Sequence, residues 1–333
     1  MQRGFFRLLM IVMCLALTAC QTTQQNSRII AKTFNLTTSL QQKLMDRYKP
    51  QQHIHIQSFI YQQQPKLSID VYQIQDGQQS KRPTVVWIHG GGWIAGSKAH
   101  ARGYFKRLVD ASVNVVAVEY QFAPTHIYPT QLQQLNQALE FMQNYAQELD
   151  LNMNQLYLAG DSAGANLASH YAALLTNTAF AKASHFHPVI QPHQLKGLIL
   201  HCGIYDLAAF VAKAPEEMKV VEWTVLNLVQ AYTDNRKEDA DFLSFISPIK
   251  HITAQYPPVL ISGGNKDFLT DTQSLPMLEQ LKKQNIIVVP VFYLESKSWL
   301  IHEYQFFMHK KESQQTFAKT LEFIEMTKSR EIK

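Results

Sequence analysis

A chain of 333 residues, 46% hydrophobic and 17% charged, is long enough to bury one large core. Its net charge of +5 is small for this length, and no run of Lys or Arg is long enough to act as a nucleic-acid footprint. The composition is that of an ordinary globular protein, and a nucleic-acid partner is excluded.

The chain opens with MQRGFFR, which carries two arginines and no acid, followed by the apolar run LLMIVMCLAL. A basic start, a short apolar stretch and small residues before a cut predict a signal peptide over residues 1–19. The run is too short to span a bilayer, which takes roughly 20 apolar residues. Leu17-Thr18-Ala19-Cys20 resembles the bacterial lipobox, whose cysteine is lipidated and becomes the new N-terminus. The resemblance implies a lipid on Cys20, which would anchor the chain stably. It also makes residues 20–28, with the polar run QTTQQNSR, a tether. Gln21 resembles the residue type that sends such lipoproteins to the outer membrane, so the expected location is its periplasmic side. Once Cys14 has left with the signal and Cys20 has taken lipid, only Cys202 remains, and no intramolecular disulfide is available.

The rest, 29–333, reads as one domain. Residues 29–49 carry apolar residues at three-to-four spacing and predict a helix closed by Pro50. His53 and His55 alternate on a strand, with no acidic or cysteine partner to make them a metal site. LSIDVYQI alternates and predicts a strand before the Asp76-Gly77 turn. Beyond it, the strands TVVWIH (84–89), VNVVAVEY (113–120), QLYLAG, KGLILHC, PVLISG (258–263) and IIVVPVFYL alternate with helices at 130–149, Ala163–Leu175, Gln273–Gln284 and Gln314–Met326. The inner strands are continuous apolar runs, as in a parallel sheet covered on both faces. The expected class is therefore α/β, with a mostly parallel central sheet flanked by helices. Residues 29–55 and 207–247 fall outside the alternation, as insertions that cover a site at the strand carboxyl ends would.

AGDSAG (159–164) is the stretch that points to chemistry. A serine flanked by small residues, entered from a strand and left by a helix, fits a sharp turn that presents a nucleophile. A serine hydroxyl also needs a base and a site for the oxyanion. HGGGW (89–93) directly follows a strand, and its glycines let backbone N–H groups face a developing negative charge. It lacks the spacing of a phosphate-binding loop. For the base, His201, His302 and His309 compete. Asp267, Asp271 and Glu295 all lie near the proper strand ends.

HGGGW, EYQFAPTHIYP (119–129), GDSAGAN (160–166), GNKDFLTD (264–271) and IHEYQF (301–306) occur in an order that resembles the hormone-sensitive-lipase-like esterases of the α/β-hydrolase superfamily. The likeness covers roughly residues 65–325 and implies a cap built from 29–55 and 207–247. It implies Ser162 as nucleophile, His302 as base and Asp267 as the acid orienting it. It implies the N–H groups of Gly91, Gly92 and Ala163 as the oxyanion site, with His89 structural. Three positions depart from the pattern. Gln121 stands where arginine is common, Glu303 where glycine is usual, and Phe268 where proline is frequent.

These readings predict a serine carboxylesterase acting on short-to-medium acyl or aryl esters through an acyl-enzyme, with no metal or organic cofactor. The apolar segment VVEWTVLNLVQAY (220–232) is a candidate wall for the acyl or aryl pocket. Two other readings stay open. One is an arylformamidase or amidase using the same triad. The other is a non-catalytic, membrane-tethered ligand-binding protein, because fold alone never proves activity.

Overall fold

The structure is a computed structural model that describes residues 22–215 and 217–330. The expected signal peptide, Cys20 and Gln21 lie outside the described residues. Among the described residues no helix is long and apolar enough to cross a membrane.

Eight strands form one sheet: β1 (Ile54–Gln62), β2 (Leu67–Ile74), β3 (Thr84–Ile88), β4 (Asn114–Val118), β5 (Leu156–Asp161), β6 (Leu195–His201), β7 (Val259–Gly263) and β8 (Val288–Phe292). Their order is β1-β2-β4-β3-β5-β6-β7-β8. β1 and β2 pair antiparallel, as do β2 and β4, and the pairings from β4 through β8 are parallel. The inner strands are apolar along their whole length because both faces are covered. Val86, Val116, Leu158 and Leu198 point into one buried cluster, and Val85, Val115, Tyr157 and Ile199 into the other.

The helices are α1 (Thr23–Met45), α2 (Arg102–Asp110), α3 (Thr130–Asn144), α4 (Ala163–Thr176), α5 (Thr178–Ala183), α6 (Leu207–Ala212), α7 (Lys219–Tyr232), α8 (Ala240–Phe245), α9 (Leu275–Lys283) and α10 (Lys311–Thr327). Leu132, Leu135 and Leu139 of α3, with residues of α4, fill the first cluster. Tyr104, Phe105 and Leu108 of α2, with Phe323 and Ile324 of α10, fill the second.

The N-terminal segment differs from expectation. Residues 23–28, expected as tether, are the first turns of α1. The Thr22 hydroxyl accepts from the Gln25 N–H, and the Gln25 side chain accepts from the Thr22 N–H. Such a reciprocal cap satisfies donors that a helix start otherwise leaves open. α1 then packs on α7: Asn26 Nδ2 donates to Asn227 Oδ1 at 2.7 Å, and Gln230 Nε2 donates to Thr23 Oγ1 at 2.9 Å. At its other end the expected cap segment 29–55 runs into the sheet, because β1 begins at Ile54. α2 and α5 are helices that the sequence reading did not name.

Candidate active site

β5 ends at Asp161 and α4 begins at Ala163, so Ser162 alone makes the turn, at φ 52° and ψ −119°. This left-handed conformation is strained for a side-chain-bearing residue, and it lifts the serine off the strand end. The Ser162 N–H donates to His201 O at 2.9 Å, which fixes the turn to β6. The flanking glycines are steric necessities. A Cβ at Gly160 would stand 2.4 Å from the Gly164 carbonyl carbon, and one at Gly164 would stand 1.9 Å from Ile88 O.

The loop after β3 lies alongside. Asp161 accepts the Gly90 N–H at Oδ2 and the Trp87 Nε1–H at Oδ1, both at 2.9 Å. Gly91 and Gly92 have φ of 113° and 59°. Their N–H groups donate none of the hydrogen bonds found among the described residues. Ala163 is the first residue of α4, where an N–H has no acceptor within its helix. The Gly91, Gly92 and Ala163 N–H groups are thus open to a further acceptor. Trp93 stacks on Tyr232 of α7 with ring centroids 4.4 Å apart, so the covering helix is seated on the glycine loop. His89 Nδ1 donates to Gly90 O, 2.7 Å away, and the ring stacks on Tyr120 at 4.3 Å. Burial pushes its pKa down to about 3, so it stays neutral and serves as structure.

Asp267 follows β7 and His302 follows β8. Their loops are tied together: Lys266 N–H donates to Leu300 O at 3.0 Å, and Leu300 N–H to Asn265 Oδ1 at 3.1 Å. Asp267 Oδ2 stands 2.7 Å from His302 Nδ1. A proton on Nδ1 satisfies the carboxylate and leaves Nε2 as an acceptor. Burial works against the charged His302. Cys202 and the Asp267 carboxylate outweigh burial, and the pKa lies well above the usual histidine value. Cys202 is itself held as a thiol by burial, so Asp267 supplies the lasting part. The competing residues are elsewhere: His201 is buried and bonds Ser262 Oγ at 2.7 Å, while His309 and Asp271 are exposed. Glu295 lies in the loop beyond β8, among residues that line a separate surface cleft.

A second cluster lies beneath, which the sequence reading missed. The ligand atoms of His100, Asp161 and Glu303 all lie within 4.8 Å of one another. Glu303 turns away from the His302 ring and faces His100, with its Oε2 3.6 Å from His100 Nε2. Its backbone is left-handed (φ 59°, ψ 31°). For a residue other than glycine that costs roughly 1–2 kcal/mol. His100 falls in GSKAH, a stretch with no recognisable signal. Cys202 was likewise missed; its sulfur lies within 4.8 Å of the Asp267 and His302 ligand atoms. Both groups have donor types that hold metal ions. In the first, however, Asp161 already accepts an N–H at each oxygen, and in the second His302 Nδ1 is engaged by Asp267.

The other departures are absorbed by packing. Gln121 joins an amide network: Gln134 Nε2 donates to its Oε1 at 2.7 Å, and its Nε2 meets His126 Nε2 at 2.6 Å. Phe268 stacks on Phe210 of α6. A surface cavity of about 400 Å³ includes His89, Glu119 and Gln121 in its lining. Directly over Gly92 there is little space. A Cβ there would stand 2.6 Å from Leu228 Cδ2 and 3.2 Å from Phe34 Cε2.

A family profile described as BD-FAE matches residues 69–281, well over half of the chain. The chain belongs to the BD-FAE family. Among curated relatives, Esterase LipC of Mycobacterium tuberculosis is 24% identical over 233 residues, 69% of this chain and 56% of that protein. Carboxylesterase NlhH of the same organism is 38% identical over 93 residues, 28% of this chain and 29% of that protein. The chain thus spans between about a third and a little over half of the length of these relatives. Among solved structures, an esterase of Pyrobaculum calidifontis superposes with TM-score 0.71 at 21% identity, covering 95% of this chain and 98% of that one. Esterase B of Lactobacillus rhamnosis, in a tributyrin phosphonate-inhibited form, gives 0.76 at 18% identity, covering 92% and 97%. The BD-FAE chain therefore has the α/β-hydrolase fold.

The buried histidines set an acid limit on stability. His89, His170 and His201 are each pushed down to about 3 by burial, whereas the unfolded chain protonates near pH 6.5. The unfolded state therefore binds more protons as pH falls. Stability present above pH 6.5 is expected to decline between pH 6.5 and about 3, by about 1.4 kcal/mol per pH unit for each histidine. Urea midpoints across that range check this, and replacing His170 with Gln should flatten the slope. An unchanged slope would refute the buried neutral state.

Proposed function

We propose that this protein is a serine carboxylesterase. The observation that carries the reading is the Asp267–His302 hydrogen bond at the strand ends, together with the strained turn at Ser162. In this mechanism His302 Nε2 takes the Ser162 hydroxyl proton as Oγ attacks the ester carbonyl. Asp267 keeps the ring in the tautomer that presents Nε2 and stabilises the imidazolium that forms. The Gly91, Gly92 and Ala163 N–H groups donate hydrogen bonds to the oxyanion. His302 then returns the proton to the leaving alcohol. A water activated by the same nitrogen releases the acid and frees Ser162.

The substrate class we propose is esters of short acyl chains. Leu228 and Phe34, from the two covering helices, pack against Gly92 and leave little room over the oxyanion loop. A relative of the same fold, Esterase B, is inhibited by a tributyrin phosphonate, which is consistent with short acyl groups. Initial rates on p-nitrophenyl esters from acetate to dodecanoate test both parts. Turnover should peak at acetate to butyrate and fall by on the order of 10⁴ or more in Ser162→Ala. Leu228→Ala should raise the octanoate-to-butyrate ratio about tenfold. Folded wild-type protein inactive on every ester would refute the reading. Activity confined to formamides or anilides would move it to the amidase alternative.

The same proposal places the enzyme on a membrane through lipid on Cys20, on the periplasmic side of the outer membrane. LTAC and the short apolar run before it support this. Only Gln21 separates Cys20 from the cap residue of α1, so a lipid there would hold the covering helices close to the bilayer surface. The full chain, expressed in a Gram-negative host, should sediment with membranes. Cys20→Ser should appear in the soluble fraction. Equal partitioning of the two would contradict the anchor.

A further inference from the structure

We propose that Glu303 is a positioning residue: its carboxylate, held between His100 and Asp161, ties the loop carrying His302 to the turn carrying Ser162. The inference rests on the hydrolase reading of the site. The hydrolytic steps themselves leave all three of these buried groups unused.

The geometry follows from two neighbouring pairs in the chain. His302 and Glu303 are consecutive, as are Asp161 and Ser162. His302 points to Asp267, while the left-handed backbone at Glu303 sends the next side chain the other way, to His100 and Asp161. Asp161 is itself fixed at both oxygens by Trp87 and Gly90. Base and nucleophile are thus linked through the carboxyls of their adjacent residues, whose oxygens lie within 4.8 Å of each other. The Glu303 backbone is also held from outside, because Gln41 Nε2 of α1 donates to its carbonyl at 3.4 Å. Displacing Glu303 moves His302 relative to Ser162, and misplacements of about 1 Å in such geometries cost on the order of 10²-fold in rate.

The charge pattern suits a tie. The groups facing Glu303 are His100, Asp161 and His302, with Asp267 and Cys202 beyond the His302 ring. Two neighbouring carboxyls, one fully buried and one half-buried, resist ionising together, so the pair holds one proton. Burial first, and then the Glu303 charge, push the Asp161 carboxyl up. His100 packs on the Phe306 ring, and neither ring nitrogen makes a hydrogen bond, Nε2 lying 3.6 Å from Glu303 Oε2 in an ion-pair contact. Burial alone would lower its pKa, but Glu303 outweighs burial and holds it above the usual value.

The test uses the full-length protein with p-nitrophenyl butyrate, in wild type, Glu303→Gln, Glu303→Gly and Glu303→Asp. The Gln and Gly variants should lose about tenfold in kcat with KM within about twofold, and Asp should recover part of the loss. Glycine accepts the left-handed backbone freely, so Glu303→Gly should fold at least as stably as wild type. His100→Gln reaches the same contact from its other side. It should lower kcat similarly, and the double variant with Glu303→Gln should lose little more. Histidine NMR gives a readout independent of turnover: the His100 pKa should lie above 6.5 in wild type and below it in Glu303→Gln. Wild-type kcat in a folded Glu303→Gly would overturn the inference. So would additive losses in the double variant, or a His100 pKa that Glu303→Gln leaves in place. Absence of turnover in wild type would instead refute the hydrolase reading.

Discussion

The Asp161 carboxyl group is the contact on which the site's layout depends. It stands at the end of β5, one residue before Ser162, and accepts N–H groups from Trp87 and Gly90 at the end of β3. That pair of bonds sets the glycine loop against the Ser162 turn. The close approach it demands explains the glycines: Gly164 lies where a Cβ would strike the Ile88 carbonyl. It also explains why Asp161 is tolerated at 0% exposure, since each oxygen is satisfied. The parallel order β3-β5-β6-β7-β8 then brings the loops bearing Ser162, Asp267 and His302 to one edge of the sheet. Strand carboxyl ends in such sheets are where sites collect.

Around this arrangement, the departures from the hormone-sensitive-lipase-like pattern change how the loops are held. Gln121 replaces a charge with amide hydrogen bonds to Gln134 and a contact with His126. Phe268 replaces a rigid residue with a ring stacked on α6. Glu303 introduces a half-buried carboxyl in a backbone conformation that favours glycine. Each change swaps one means of fixing a loop for another.

Much of the architecture was legible in the sequence because parallel strands covered on both faces must be apolar throughout, and VNVVAVEY and KGLILHC are. GDSAG was legible because the strand before it and the helix after it are unmistakable. The start of α1 was not. TTQQNSR is polar and reads as a linker, and its helicity comes from the Thr22–Gln25 cap and from Asn26 and Thr23 bonding to α7. Those partners lie about two hundred residues away in the chain. His100 and Cys202 were illegible for the same reason. Nothing in GSKAH or LHCGI reveals a partner, and their contacts with Glu303 and His302 exist only once the sheet has assembled. α2 was missed because RGYFKRLVD is short and half charged or polar, although Tyr104, Phe105 and Leu108 anchor it firmly.

The most direct test of the account asks which atom becomes covalently modified. Folded protein treated with a short-chain p-nitrophenyl alkylphosphonate, digested and analysed by peptide mass spectrometry, reports the nucleophile without assuming a natural substrate. The account predicts one phosphonyl group per chain, on Ser162, with modification slowed sharply in Asp267→Asn. Modification of Cys202, or a Ser162 that remains unlabelled in folded protein, would contradict it.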